Sequence, residues 1–331
     1  MSTLPPTSGD SDAIGTTDSA GPSGSADSAR SASAVEAKMP KRRRRNGSPG
    51  QFRDIWNRYR RNKLALVGTF IVGLLVFLAI FEPILTPFDP FEQNLLNTTA
   101  PPDSRHFFGT DVLGRDMFSA IIYGAKLAVI VGVVTVLMSL LVGVVFGAIA
   151  GFRGKFWDTL IMRLTDIFLA FPLIIGAILV VRTFGAGITP VIIALVVFGW
   201  ATTARLMRGQ TLALRESEYV EAARSIGASD GRIILRHIMP NAIAPVLVYA
   251  FTNIGVVVVA MASLSFLGVG VPANVPEWGR MLSQAYGFIK VPGQSHLWAF
   301  PALAICITTL GFAFVADGLR DALDPKLRGG N

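Results

Sequence analysis

Hydrophobic and polar positions alternate along this chain in long blocks rather than short ones. Six apolar runs stand out, at 64–81, 127–151, 160–181, 190–207, 242–267 and 297–317. Each approaches or exceeds the roughly 20 residues needed to cross a bilayer as a helix. Ahead of them, Phe52, Ile55, Trp56 and Tyr59 recur at i, i+3, i+4 and i+7, with Arg53, Arg58, Arg60 and Arg61 on the remaining faces. That pattern predicts an amphipathic helix over 48–63 lying in the membrane surface, with Ser48-Pro49 as its start. Residues 1–47 offer almost nothing to bury and read as a disordered tail. The pattern therefore predicts an all-α integral membrane protein of about six transmembrane helices, with a core over 127–318 following a first helix and long loop over 64–126. A short tail covers 319–331.

Composition agrees with this class. Half of the 331 residues are hydrophobic and only 16% are charged, and mean hydropathy is +0.52, too apolar for a soluble protein of this size. The basic residues set the orientation. Of the 30 Lys and Arg, 24 fall in the tails and the segments 152–163 and 205–240, whereas the alternate segments hold 6. The positive-inside rule then places both termini in the cytoplasm. Lys41-Arg42-Arg43-Arg44-Arg45 precedes the first span and reads as a topology determinant touching anionic lipid; no nucleic-acid partner is expected.

Few residues invite catalytic chemistry. The single cysteine, Cys306, lies inside an apolar run, and the three histidines lack metal-ligand spacing, so neither a catalytic site nor a metal site is expected. Phe108-Gly109-Thr110-Asp111 and Gly114-Arg115-Asp116 read as a turn network satisfying its own charges. Gly143, Gly147 and Gly151 leave one helix face without side chains, suited to close helix packing. Asp166 is expected in the first turn of the third span, which Pro172 bends. In the fifth span Thr252 and Asn253 fall near the middle and Ser263 and Ser265 further out. An amide in hydrocarbon needs a partner, so these four are candidates for a solute path, with interhelical bonding as the alternative for Asn253. Trp278 and Trp298 are expected as interfacial aromatics.

The most informative polar stretch runs from Glu218 to Asn241, inside the loop region 209–241. Tyr219, Val220, Ala223 and Ile226 recur at helical spacing, Gly227 reads as a C-terminal cap, and a second short helix is expected from Ser229 and Asp230, ending where Pro240 re-enters the bilayer. Glu221-Ala222-Ala223, Gly227 and Ile238-Met239-Pro240 resemble the EAA loop of permease subunits of bacterial ABC importers. His237 stands where that family usually has isoleucine, and Met239 where it has leucine. The Phe-Gly-Thr-Asp…Gly-Arg-Asp run, with Ala262-Ser263-Leu264-Ser265-Phe266-Leu267-Gly268, is similar to the dipeptide/oligopeptide/nickel subgroup.

The resemblance implies the type I importer permease fold in a bacterial plasma membrane. It also implies an assembly: a second homologous permease subunit, two ATPase subunits that bind ATP and magnesium, and an extracytoplasmic substrate-binding protein delivering peptide. The residues expected to dock the ATPase are Tyr219, Val220, Glu221, Ala222, Ala223, Ile226, Gly227, His237 and Pro240. No cofactor is expected on this chain itself. Its only Gly-Lys pair, Gly154-Lys155, is followed by Phe156, so it has no P-loop. The same machine importing nickel or another small solute is an alternative reading. A self-contained secondary transporter is another, and it predicts ionisable groups deep in several spans. A membrane hydrolase would need a paired nucleophile and base or a zinc motif, and no His-Glu-x-x-His is present.

Overall fold

The computed structural model describes residues 50–323; the basic run at 41–45, the remainder of the first tail and the end of the second lie outside them. Among the described residues the chain is helical. In order, α1 is Gly50–Tyr59, α2 Lys63–Leu85, α3 Met117–Arg153, α4 Lys155–Ala170, α5 Leu173–Phe184, α6 Ile188–Arg215 and α7 Glu218–Ser225. Then follow α8, Asp230–Phe266, α9, Trp278–Ala285, and α10, His296–Leu323. Helices dominate because hydrocarbon supplies no partner for a free backbone N–H or C=O.

Five helices, α2, α3, α6, α8 and α10, are each long and apolar enough to cross a membrane. The third predicted run, expected to bend at Pro172, is broken at Phe171-Pro172 into two helices, α4 and α5, which meet at 88°. Proline lacks the N–H for a continuous helix and forces the preceding residue into an extended conformation, here φ −82°, ψ 128° at Phe171. Asp166 consequently sits near the end of α4 rather than at the start of a span, and it accepts a bond from Arg205 at 2.6 Å.

The centre of the fold is the contact of α3 with α6, built on the glycine stripe. A Cβ at Gly143 would lie 2.8 Å from the Trp200 carbonyl, and one at Gly151 2.8 Å from that of Arg208. The bare face thus packs within this chain, and backbone approach replaces the hydrophobic drive that lipid does not provide. Bidentate bonds from Arg208 to Asp158 tie α4 to α6 at the same end. α10 packs between α2 and α8, with Gly68 against Phe314 and Gly311 against Ile71.

At the opposite end the loop after α2 folds into a knot. Asp111 accepts from the Leu113 and Arg115 amides and from Arg115 Nε at 2.7 Å, and Arg115 is wholly buried. Arg115 also donates to the Asn274 carbonyl at 3.1 Å, linking two loops. Asp116 caps α3 through the Ser119 amide and meets His106 Nδ1 at 3.0 Å. Every charge of the Gly-Arg-Asp turn is thereby spent on structure. Trp278 is corrected from an interfacial anchor to a buried wedge: it is 2% exposed, stacks over Gly124 and donates to the Ile121 carbonyl at 3.1 Å.

Candidate functional site

Two features at different depths make up the site. The first is the loop joining α6 to α8. α6 runs on to Arg215, so the loop proper begins later than the 209 expected from sequence. Glu218 and Glu221 fill the first turn of α7, where the helix dipole favours anions. Its end is set by Gly227 at φ +79°, with the Gly227 amide on the Arg224 carbonyl and the Ala228 amide on that of Ala223. That crossed pair of bonds is the glycine-ended helix stop.

The second arm is not a separate helix. Asp230–Ile233 continues through a π-helical turn, Ile234–Ile238, into Met239–Phe266 without a break. The Met239 amide reaches back five residues to Ile234. This wider turn absorbs Pro240, which lacks a donor and would crowd a regular α turn. Ser229 makes no side-chain cap bond, and Asp230 instead faces Arg153 at 3.9 Å.

The loop's two faces differ sharply. Val220 and Ala223 are buried against Phe152, Met207, Ile233 and Ile238, and the Arg224 guanidinium lies 5.2 Å over the Phe152 ring. This corrects the expectation that Val220 and Ala223 face a partner: they anchor α7 to α3, α6 and α8. One step around the helix, Tyr219, Glu221 and Ala222 are exposed, and Ile226 is 85% exposed. Between the arms lies a hollow of about 460 Å3, walled by Tyr219, Ala222 and Ile226 on one side and by Arg232, Arg236 and half-buried His237 on the other. Gly227 and Pro240 are exposed.

The second feature is a cavity of about 330 Å3 where α3, α4, α6 and α8 meet. Ser139, Thr202, Tyr249 and Asn253 bring neutral hydrogen-bonding groups to it, and Phe168, Phe171 and Phe198 supply aromatic walls. Of the four residues expected on a path, only Asn253 lines this space. Thr252, one position earlier and so about a quarter-turn away, is exposed and donates to the Val248 carbonyl of its own helix. Ser263 likewise bonds back to Val259, and Ser265 is buried against Gly270.

The loop and cavity occur in a chain whose residues 143–329 match the family described as the binding-protein-dependent transport system inner membrane component. Residues 50–102 match the N-terminal TM domain of oligopeptide transport permease C. This chain belongs to the ABC importer permeases. The permease is 42% identical over 280 residues to the oligopeptide transport system permease protein OppC of Bacillus subtilis (strain 168), covering 84% of this chain and 90% of that one. It is 42% identical to the dipeptide transport system permease protein DppC of Alkalihalophilus pseudofirmus, with the same coverage. Against the glutathione transport system permease protein GsiD of Escherichia coli O157:H7 it is 43% identical, over 83% of this chain and 91% of that one. A solved chain of the inward-facing MetNI methionine ABC transporter aligns at 19% identity and a TM-score of 0.45, over 61% of this chain and 97% of that one.

The permease is a multi-pass protein of the inner membrane. Sequence reasoning missed Tyr249, Thr202 and Ser139. Tyr249 had a signal: it lies four residues before Asn253 and so shares its helix face. The two hydroxyl residues had none, because Ser and Thr are common on any packed membrane helix.

Proposed function

We propose that the permease is moved by a separate ATPase subunit that grips α7, and that it passes short peptides into the cytoplasm. The observation that carries the reading is the division of α7 into a buried face and a free one. Val220 and Ala223 fix the helix to three spans, while Tyr219, Glu221, Ala222 and Ile226 are left open beside a basic hollow. An exposed isoleucine beside an exposed tyrosine suits insertion into a partner's groove, and Arg232 and Arg236 suit an acidic side chain of the same partner. Glu221 orients the docking; Gly227, His237 and Pro240 shape the loop without carrying its contact energy.

In this reading a second permease subunit completes the pathway, two ATPase subunits bind ATP and magnesium, and a binding protein outside the membrane delivers cargo. Three relatives whose names refer to oligopeptide, dipeptide and glutathione transport support a peptide cargo. The cavity beside Asn253 fits that class as well. Neutral donors and acceptors from Ser139, Thr202, Tyr249 and Asn253 satisfy peptide amides in passing without the tight hold a charge would give. Closure of the ATPase pair draws the two permease loops together and switches the cavity from inward to outward access.

The test is a reconstituted transporter carrying Glu221→Lys. Peptide uptake is expected to collapse while the permease stays in the membrane with its second subunit. Parental uptake by that variant, with ATPase bound, rules out the assigned docking face.

A further inference from the structure

α1 does not simply rest against the spans. Ile55, Trp56 and Tyr59 form one wall of a groove of about 460 Å3, completed by Val72 and Gly73 of α2, Phe251 of α8, and Val315 and Leu319 of α10. Thr69 is its one polar side chain besides the Tyr59 hydroxyl and the Trp56 indole N–H, and the Thr69 and Tyr59 hydroxyls bond each other at 2.6 Å. The groove is therefore apolar throughout. It is fixed in place, because Asn62 caps α2 through the Ala65 amide and donates to Asp321 of α10 at 3.0 Å.

Size and charge select the occupant. A helix about 10 Å across fills roughly 420 Å3 per turn, so the groove holds one turn at most and suits an unbranched chain better than a span. Exposed cations adjoin it on α1 and the turn that follows. Arg53, Arg60, Arg61 and Lys63 are exposed, and none has an acidic partner at ion-pair distance among the described residues. Arg53 and Arg60 flank Trp56 at three- and four-residue spacing, at the edge of the apolar strip that lines the groove, within reach of its rim. We propose that this groove is a discrete site for one anionic phospholipid, with an acyl chain between α1, α2, α8 and α10 and the phosphate held by Arg53 and Arg60. Apolar burial supplies the hold and the arginines supply the headgroup preference.

Gly73 provides a clean probe, because a Cβ there meets nothing within 4 Å. The complete transporter is placed in nanodiscs holding equal phosphatidylcholine and phosphatidylglycerol, then released for native mass spectrometry. The parent is expected to retain phosphatidylglycerol in preference to phosphatidylcholine. Gly73→Phe, which fills the groove, should lose the retained lipid. Arg53→Gln with Arg60→Gln should keep a lipid yet lose the anionic preference, by about fivefold for each arginine removed. Equal retention of the two lipids by the parent, or an unchanged preference in the double variant, overturns the site. A photoreactive phenylalanine analogue at position 73 should label phospholipid; labelling of the second permease subunit instead would show that a protein covers the groove and would equally overturn it.

Discussion

Replacing Ile226 with alanine separates the free face of α7 from the anchored one. The substitution deletes three carbons from a side chain that is 85% exposed. At about 0.8 kcal/mol per buried carbon, scaled by that exposure, a partner groove that covers Ile226 fully loses about 2 kcal/mol of contact. With 1.36 kcal/mol per factor of ten, the ATPase subunit should bind roughly 30-fold more weakly. The permease itself should keep its stability to within about 0.5 kcal/mol, because the side chain is exposed and the C-cap bonds Ile226 makes at the end of α7 come from its backbone, which alanine keeps. Val220→Ala is the counterpart. Its side chain is fully buried, so the expected result is a loss of about 1–3 kcal/mol in thermal stability, with docking impaired only as far as the loop loosens. The assay is titration of a fluorescently labelled ATPase subunit onto permease pairs in nanodiscs, with a melting curve on the same samples. Unchanged affinity in Ile226→Ala, alongside an intact melting curve, refutes the claim that this side chain is buried by the partner.

Three further substitutions test the scaffold. In Gly147→Val, the first added carbon would sit 2.8 Å from Met207 Cβ and 3.0 Å from the Arg208 amide, so overpacking should cost about 1–3 kcal/mol in a melting assay. Gly209→Ala on the facing helix, where nothing lies within 4 Å, should be neutral or slightly stabilising, and equal losses at both positions would refute the packing role. Glu277 is buried at the N-cap of α9, and that burial holds its carboxyl above the ordinary glutamate range, although the Gly279 and Arg280 amides and the Arg280 charge oppose this. A raised pKa means the folded state binds the proton more readily, so this group's contribution is fully present below its unfolded pKa of about 4.3 and is lost as pH rises through the folded value. Glu277→Gln should remove that pH slope; Trp278 fluorescence melts from pH 4 to 7 that keep the parental slope in the variant would assign it to another group.

Much of the architecture was legible because lipid restricts what a chain can do. Long apolar runs located all five long helices, and the four-residue spacing of Gly143, Gly147 and Gly151 marked a close-packing face. The broken third run was legible only in part. Pro172 announces a bend, but its 88° depends on where α4 settles, and the Asp158–Arg208 and Asp166–Arg205 pairs that hold α4 span 50 and 39 residues. The same limit explains Val220 and Ala223. Helical spacing shows that they share a stripe with Tyr219 and Ile226, yet it cannot say which edge of the stripe the protein's own core takes. Three-dimensional contact with Phe152 and Met207, from two other helices, makes that choice.

The continuity of α8 connects the loop to the cavity in the proposed machine. Had Pro240 broken the chain into a loop helix and a separate span, a push on the loop would be absorbed at the joint. Instead the π turn carries the helix past Pro240, and Asp230–Phe266 stays helical over 37 residues, roughly 55 Å, with Pro245 also accommodated inside it. α7 is packed on its base through Val220, Ala223, Ile233 and Ile238. Tyr249 and Asn253 stand near its middle on the cavity, and Gly279 packs α9 tightly against Ala262 near its far end. In the proposed machine, a displacement imposed at Tyr219 and Ile226 would therefore reach the cavity lining and the opposite face through one element.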